Sequence, residues 1–457
     1  MTSNIYNKKY TKPIVLLMII LLMFIWADVS EGYVFAQKMA KKQSFPNENK
    51  MKNEPPVTLG SAACLIDAKT GYMIYGVDEH EKNYPASTTK ILTGLLAMEN
   101  LNIDDEVTAG IESEKQGGSQ IYLSEGEKMS VNNLMYGMML PSANDAAMAL
   151  GEAMAGNVQN FAKMMNDKAK NIGAVNSNFV NPNGLPDDNH YTTAYDLALI
   201  TKEAMKNDNF RRYVSTYEYT IPKTNSSGKR LVHNRNRLLY NVNRKIKAYG
   251  ETKSIKYDGV TGVKTGFTNK AEFCLVGSAE RNGTELIAVT LKSKDMNGYQ
   301  DVISMLDYGF NNYKTVEVMA KGQAVDDLKV NGGAEKYGKA QVVEGLYVTL
   351  PIDADEKDIK TEKKYKDLKA PYNSNVDGGT IEAYYKDAKV GEAEVTLTQG
   401  MEEGSAFDDI LTGSGFMGVL SKILIAVAII IIAILVLRAI NKGRRRARRR
   451  RRRREYK

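Results

Sequence analysis

Ser87-Thr88-Thr89-Lys90 sets a hydroxyl and an amine three residues apart. Pro85 precedes them, and Ile91, Leu92, Leu95, Leu96 and Met98 follow at helical spacing, so the spacing predicts a helix starting here. Positions i and i+3 share a helix face, which points Ser87 and Lys90 the same way, one turn apart. The first turn of a helix also offers free N–H groups and the positive end of its dipole. A serine there has an amine to take its proton, a local positive field and a backbone donor for an oxyanion. Those are the requirements of an activated nucleophile. The pattern by itself is common, and its bland alternative is a helix start with a surface lysine.

Two further stretches carry polar groups that would complement such a serine. Ser142-Ala143-Asn144 sits between a helical run over 131–140, broken by Pro141, and an alanine-rich helix over Asp145 to Ala155. Lys264-Thr265-Gly266 lies in a period-two run from Gly259 to Thr268. Taken singly, Ser142 would cap a helix, Asn144 would hold a turn and Lys264 would be a solvated strand residue. The elements that must position them are legible. Ser61 to Asp67 and Tyr72 to Tyr75 flank Ala68-Lys69-Thr70-Gly71 as a hairpin. Helices follow over 158–171 and 194–206, with Thr193-x-x-Asp196 as a candidate cap. The Gly259–Thr268 run, Phe273 to Ala279 and Leu286 to Leu291 form three consecutive antiparallel strands, the last two joined at Arg281-Asn282-Gly283. A helix over 297–313 closes the domain. The expected class is α+β: an antiparallel sheet flanked by helices, with a helical subdomain inserted.

The three motifs, in this order on a helix start, an interhelical loop and a strand, resemble the signature set of penicillin-binding proteins and class A β-lactamases. Residues 57–400 resemble the low-molecular-mass penicillin-binding proteins that are serine-type D-alanyl-D-alanine carboxypeptidases, or S-x-x-K acyltransferases. Gly118-Ser119-Gln120-Ile121-Tyr122-Leu123, Asn181-Pro182-Asn183-Gly184-Leu185, His190-Tyr191-Thr192-Thr193-Ala194 and Asn234-Arg235-Asn236-Arg237-Leu238-Leu239 carry the resemblance further. It implies a β-lactamase/transpeptidase-like catalytic domain that removes the terminal D-alanine from peptidoglycan stem pentapeptides. Ser87 would form the acyl-enzyme, which β-lactams would also form.

In that reading Lys90 must be neutral, although a free lysine titrates near ~10.4. Burial and the second cation Lys264 can each depress it, by ~3–5 units in buried cases. Ser142 would relay the proton to the leaving amine. Asn144 would orient Lys90 or hold the substrate's peptide carbonyl. The backbone N–H groups of Ser87 and Phe267 would form the oxyanion hole. Losing one such donor costs roughly 3 kcal/mol. Lys264, Thr265 and Gly266 would line a sheet edge that the substrate joins as a strand, with Gly266 allowing close approach. Lys264 and Thr265 would meet the terminal carboxylate, with Arg235 as a second partner. His190 reads as structural, although spacing alone does not exclude a Ser-His-Asp triad. The segment Tyr240 to Tyr257 is longer than the family pattern leads one to expect, and it could alter access near Arg235.

The bulk numbers set the remaining bounds. The 457 residues allow two or three domains. The net charge is +8, yet residues 438–457 contribute +12, so the other 437 sum to −4. Basicity is a property of one tail, and no nucleic-acid partner is expected. Cys64 and Cys274 read as buried strand thiols rather than a bridge. His80, His190 and His233 lack ligand spacing, so no metal and no organic cofactor is expected.

Lys8, Lys9 and Lys12 before the apolar run Ile14 to Trp26 predict a signal peptide over 1–36, with an uncleaved anchor as the alternative. A polar leader over 37–56 follows, then the catalytic domain over 57–315. Short alternating runs over 316–400 predict a small all-β sandwich acting as a spacer, with partner binding as the alternative. A linker over 401–417 leads to an apolar helix over 418–437, long enough for one membrane span. The Arg-rich tail over 438–457 would stay cytoplasmic and leave the catalytic domain outside, in a single-pass cell-membrane protein.

Three rival readings use the same residues: a β-lactamase, a D,D-endopeptidase and a non-catalytic cell-wall-binding membrane protein. No Glu-x-x-Leu-Asn follows Ser142 to activate a deacylating water, which counts against the first.

Overall fold

Strand β1 (Ala62–Asp67) is buried along its whole length, and its alternate residues enter two different cores. Ala62, Cys64 and Ile66 pack with the helical insert, whereas Ala63 and Leu65 face the other side. This computed structural model describes residues 54–248, 251–404 and 416–455. The expected signal peptide over 1–36, nearly all of the leader and most of the linker lie outside the described residues. β1 pairs with β2 (Met73–Val77) as the expected hairpin.

The helical insert contains α1 (Lys90–Asn100), α2 (Val131–Met139), α3 (Asn144–Ala155), α4 (Val158–Ile172), α5 (Ala194–Ala204) and α6 (Asp208–Ser215). The Thr193 side chain caps α5 by accepting from Asp196 N at 3.0 Å, as its motif predicts. The meander follows as β3 (Val260–Thr268), β4 (Glu272–Arg281) and β5 (Thr284–Ser293). Arg281 pairs with Thr284 across a two-residue loop, where Asn282 and Gly283 both have positive φ. An Asn-Gly pair accepts that geometry at least cost. Helix α7 (Asp295–Asn312) closes the domain.

The five strands form one antiparallel sheet in the order β2-β1-β5-β4-β3. Period two explains its two covered faces. On β5, Ile287, Val289 and Leu291 join Ile91, Leu95 and Leu96 of α1, while Leu286 and Ala288 join Val302, Ile303 and Leu306 of α7. Each such side chain contributes about 1.5–3 kcal/mol on full burial. β3 is an edge strand, so its outer backbone groups have no sheet partner among the described residues, and Lys264-Thr265-Gly266 lies on it.

The chain divides into two compact units. The first runs to Val316 and includes Tyr347–Ile359 and Tyr384–Gly391; the second comprises Glu317–Leu346, Lys360–Ala383 and the chain from Glu392. In the second unit, Leu328–Asn331, Tyr337–Gly338 and Leu368–Lys369 form a three-stranded sheet. Its Leu328 meets Gly378 of the strand Asp377–Tyr385, where a Cβ would come within 2.7 Å of Leu328 Cδ1. Short β-strands are what the alternating sequence predicts for this region.

Helix α8 (Phe416–Glu455) carries the apolar run. An 18-residue stretch within Lys422–Arg446 has a mean hydropathy of 3.2, apolar enough to cross a membrane. Sequence reading places a boundary at 437/438, between span and tail. The helix runs through that position without interruption, because arginine is a good helix former and no proline follows.

Candidate active site

The serine sits in a tight turn rather than in the α-helix proper. Ala86–Thr89 is a single 3₁₀ turn that continues into α1 at Lys90, and Ala86 has φ +48°. Two glycines allow neighbouring backbone to close on this turn. Gly184, at φ +83°, lies so near that a Cβ would fall 1.8 Å from Ala86 O. Gly266 of β3 lies so near that a Cβ would fall 3.0 Å from both Pro85 O and Ser87 N. The sheet edge and the serine turn therefore adjoin, and any side chain at 266 would push them apart.

Lys90 is fully buried, and its amine has three partners. Nζ lies 2.9 Å from Ser87 Oγ, 2.7 Å from Asn144 Oδ1 and 2.9 Å from Asn183 O. Burial is the largest cause holding its pKa well below the lysine range. Lys264 and then Arg235 push it further down, and Asp145 opposes them. A neutral amine has two N–H bonds and one lone pair. Asn144 Oδ1 and Asn183 O accept only, so they take the two N–H bonds. In that neutral state the lone pair is left for the Ser87 hydroxyl, 2.9 Å away. This is the geometry of a base poised over a nucleophile.

Asn144 is held from both ends. Its Nδ2 donates to Gly117 O at 2.6 Å while its Oδ1 accepts from Lys90, so orienting Lys90 is the role this arrangement favours. Ser142 lies in the α2–α3 loop at φ +69° and is 3% exposed. Its Oγ has no hydrogen-bond partner among the described residues. A buried hydroxyl without a partner is costly, and here it faces a cleft.

That cleft encloses about 500 Å³ and is lined by Ser87, Ser142, Arg235, Thr265, Gly266 and Phe267, among others. Phe267 is 65% exposed at its rim. Lys264 is buried, donates to Thr265 O at 3.0 Å, and is lowered to about 7 by burial and then by Arg235. Arg235 Nη1 donates to Ser119 Oγ at 2.8 Å. Of the residues expected in the site, Ser87, Ser142, Arg235, Thr265, Gly266 and Phe267 line the cavity, while Lys90 and Asn144 stand behind Ser87 and Lys264 adjoins Thr265 on β3.

Four contributors escape the three signature motifs. Asn183 acts through its backbone carbonyl, which no side-chain pattern signals, although Asn-Pro-Asn-Gly does mark the tight turn that delivers it. Gly117 and Ser119 contribute from a loop. Tyr240 lines the cleft wall. The long segment after Tyr240 lies mostly elsewhere. It forms the hairpin Lys245–Ala248/Glu251–Ser254, and Ile246, Ala248, Ile255 and Tyr257 pack with α7. Lys253 and Tyr257 both reach Asp307, at 2.9 Å.

His190 supports the serine turn from behind. Its Nδ1 accepts from Val180 N at 3.1 Å, so its Nε2 carries the proton and donates to Thr89 Oγ1 at 2.9 Å. Burial pushes it down to about 4, which leaves a neutral brace. Cys64 and Cys274 are buried free thiols, as expected.

Comparisons with known proteins agree with this geometry. Residues 49–295 match the D-alanyl-D-alanine carboxypeptidase family of peptidases, and residues 313–403 match the C-terminal domain of penicillin-binding protein 5. The D-alanyl-D-alanine carboxypeptidase DacF of Bacillus subtilis is 34% identical over 379 residues, covering 81% of this chain and 91% of that protein. DacD of Escherichia coli is 28% identical, covering 78% and 90%. Penicillin-binding protein 5 of Haemophilus influenzae superposes with a TM-score of 0.61 at 26% identity, covering 77% of this chain and all of that one. The Streptomyces K15 DD-transpeptidase superposes at 0.51 and 32% identity, covering 56% and 99%.

Proposed function

Since the chain belongs to the D-alanyl-D-alanine carboxypeptidase family and is a serine hydrolase of the penicillin-binding-protein fold, we propose that Ser87 is its nucleophile and Lys90 the base. The observation that carries this reading is the buried Lys90 amine, 2.9 Å from Ser87 Oγ and held there by Asn144 Oδ1 at 2.7 Å and Asn183 O at 2.9 Å. The substrate is a peptidoglycan stem peptide ending in D-Ala-D-Ala, lying along β3 as an added strand.

Ser87 Oγ attacks the carbonyl between the two D-alanines, and its proton passes to Lys90 Nζ. The developing oxyanion is held by the N–H groups of Ser87 and Phe267. Ser142 passes the proton on to the departing D-alanine amine, and its unpartnered hydroxyl is free for that task. Arg235, Lys264 and Thr265 receive the terminal carboxylate; a guanidinium suits that fork. Water then attacks the Ser87 ester carbonyl as Lys90 takes its proton; the bond to Ser87 Oγ breaks, Lys90 returns the proton to Oγ, and the shortened peptide leaves. A β-lactam offers a strained amide to the same serine and acylates it.

We infer a single-pass membrane anchorage through α8, with the catalytic domain outside the cytoplasm and the arginine tail within.

The test is D-alanine release from a pentapeptide, run alongside labelling by penicillin. Wild type releases D-alanine and is labelled once per chain; Ser87→Ala does neither. Undiminished release by Ser87→Ala would overturn the assignment. Rapid penicillin turnover without D-alanine release would make the protein a β-lactamase.

A further inference from the structure

Asp145 follows Asn144 directly on α3 and is 1% exposed, yet none of the steps above uses it. Its carboxylate gathers two backbone donors from the loop that carries Ser119 and one from its own helix. Oδ2 accepts from Ile121 N at 3.1 Å and from Leu123 N at 3.0 Å, and Oδ1 accepts from Ala146 N at 2.9 Å. Tyr122, between those loop donors, has φ +60°, a region a tyrosine seldom occupies. The left-handed residue turns the N–H groups on either side of it toward one carboxylate, forming an anion-binding concavity. Arg230 Nη2 donates to Tyr122 O at 3.3 Å and holds the other side of the peptide. Backbone strain of this kind persists where surrounding contacts enforce it, and it gathers at functional sites.

The same loop is tied to the cleft chemistry at three more points. Asn144 Nδ2 reaches Gly117 O, Asn144 N donates to Ser119 O at 2.6 Å, and Ser119 Oγ accepts from Arg235. Two consecutive residues of α3 therefore hold the strip that carries Arg235's partner. Among the described residues, the charged groups acting on Lys90 are Lys264 from β3, Arg235 from the segment after Asn234, and Asp145 from α3. Asp145 is the negative one.

We propose that Asp145 is a positioning residue for D-alanine release: it fixes the loop that presents Ser119, and through Ser119 the Arg235 guanidinium, and its charge counters the two cations, Lys264 and Arg235, that act on Lys90. This rests on the reading that Arg235 meets the terminal carboxylate. A merely structural carboxylate would hold the loop without touching proton affinity; this one does both.

Asp145→Asn is the test. The amide keeps one acceptor oxygen, removes the charge and turns an NH2 toward a backbone donor. Folded sites are counted by stoichiometric penicillin labelling, and kinetics are normalised to them. KM for the pentapeptide is expected to rise by about tenfold to a hundredfold, the scale of one hydrogen bond to a charged group. The acid limb of kcat/KM is expected to move to lower pH, because the charge that raised Lys90's proton affinity is gone. An unchanged KM, or a raised KM with the limb in place, overturns the proposal. Should Asp145→Asn not fold, Ser119→Ala decides: KM must rise while the acid limb stays, and a wild-type KM overturns the proposal. Wild-type release in the same assay tests the site's function separately, so the two readings fail independently.

Discussion

Lys90 and Lys264 are the two residues whose burial is hardest to reconcile with stability alone, since lysine is almost never fully buried without a partner. In the proposed mechanism each has a reason. Lys90 must be neutral, so D-alanine release should fall as pH drops through its lowered pKa. Lys90→Arg keeps most of the volume but is always charged and supplies no lone pair. It should lower the rate of penicillin acylation by about 10²–10⁴-fold, the range for removing a general base. A rate within tenfold of wild type, read by stopped-flow quenching of protein fluorescence, would rule Lys90 out as the base.

Lys264 is held at about 7, against 10.5 for the free side chain. The unfolded chain therefore binds more protons than the fold between those values. This lysine makes stability climb as pH rises from about 7 to about 10.5, and below about 7 its burial is a full cost. Lys264→Met should stabilise the protein at pH 7 by about 1–4 kcal/mol, the range seen when buried ions give way to apolar groups of similar volume. It should also raise KM for the pentapeptide, since Lys264 faces the carboxylate in this reading. Thermal unfolding at pH 7 and pH 10 measures the first effect. A stability gain that does not shrink toward pH 10 would contradict the linkage.

At the level of elements, the site is a meeting of the serine turn, the α2–α3 loop and the edge strand β3, and Gly266 sets how close they come. Its missing Cβ would lie 3.0 Å from Ser87 N, a contact neither backbone can relieve. Gly266→Ala should slow acylation far more than it lowers Tm, because the strain falls on the contact with the serine turn. Overpacking costs about 1–3 kcal/mol in general. Acylation at the wild-type rate would mean that the two backbones need not adjoin.

Much of this was legible in sequence. The central strands declared themselves as short, near-continuous apolar runs, because each faces two cores, and Asn282-Gly283 declared its own hairpin. Ser87, Lys90, Ser142, Asn144 and Lys264 were recoverable because side-chain chemistry was concentrated in short motifs. Asn183 O and the loop donors bound to Asp145 were not, since every residue type carries the same carbonyl and N–H. Sequence spacing also cannot say that the hairpin after Tyr240 folds onto α7 rather than over the cleft; Asp307, more than fifty residues on, decides that.

For the molecule as a whole, the question is which side of a membrane each part occupies. The helix α8 exposes an unbroken apolar run from Ile423 to Leu437 and then continues into ten arginines over 444–454. Apolar surface left in water is unfavourable by about 25 cal/mol per Å², which favours placing this run in a bilayer, and the helix is apolar and long enough to cross one. A helix lying on the surface would need a polar face, and residues 423–437 offer none. Translocating the arginines would be costly, at about 2.5–3.5 kcal/mol each near a bilayer centre. The tail is therefore expected to remain on the cytoplasmic side while the catalytic domain lies opposite. The chain suits a direct test, because both of its cysteines are buried and inert to a bulky reagent. In Lys457→Cys, the introduced thiol should react with a membrane-impermeant maleimide in inside-out vesicles and stay unlabelled in intact spheroplasts. In the same spheroplasts, labelled penicillin should reach Ser87 from outside. Maleimide labelling of intact spheroplasts would place the tail outside and make α8 a surface-bound helix, despite its apolar circumference.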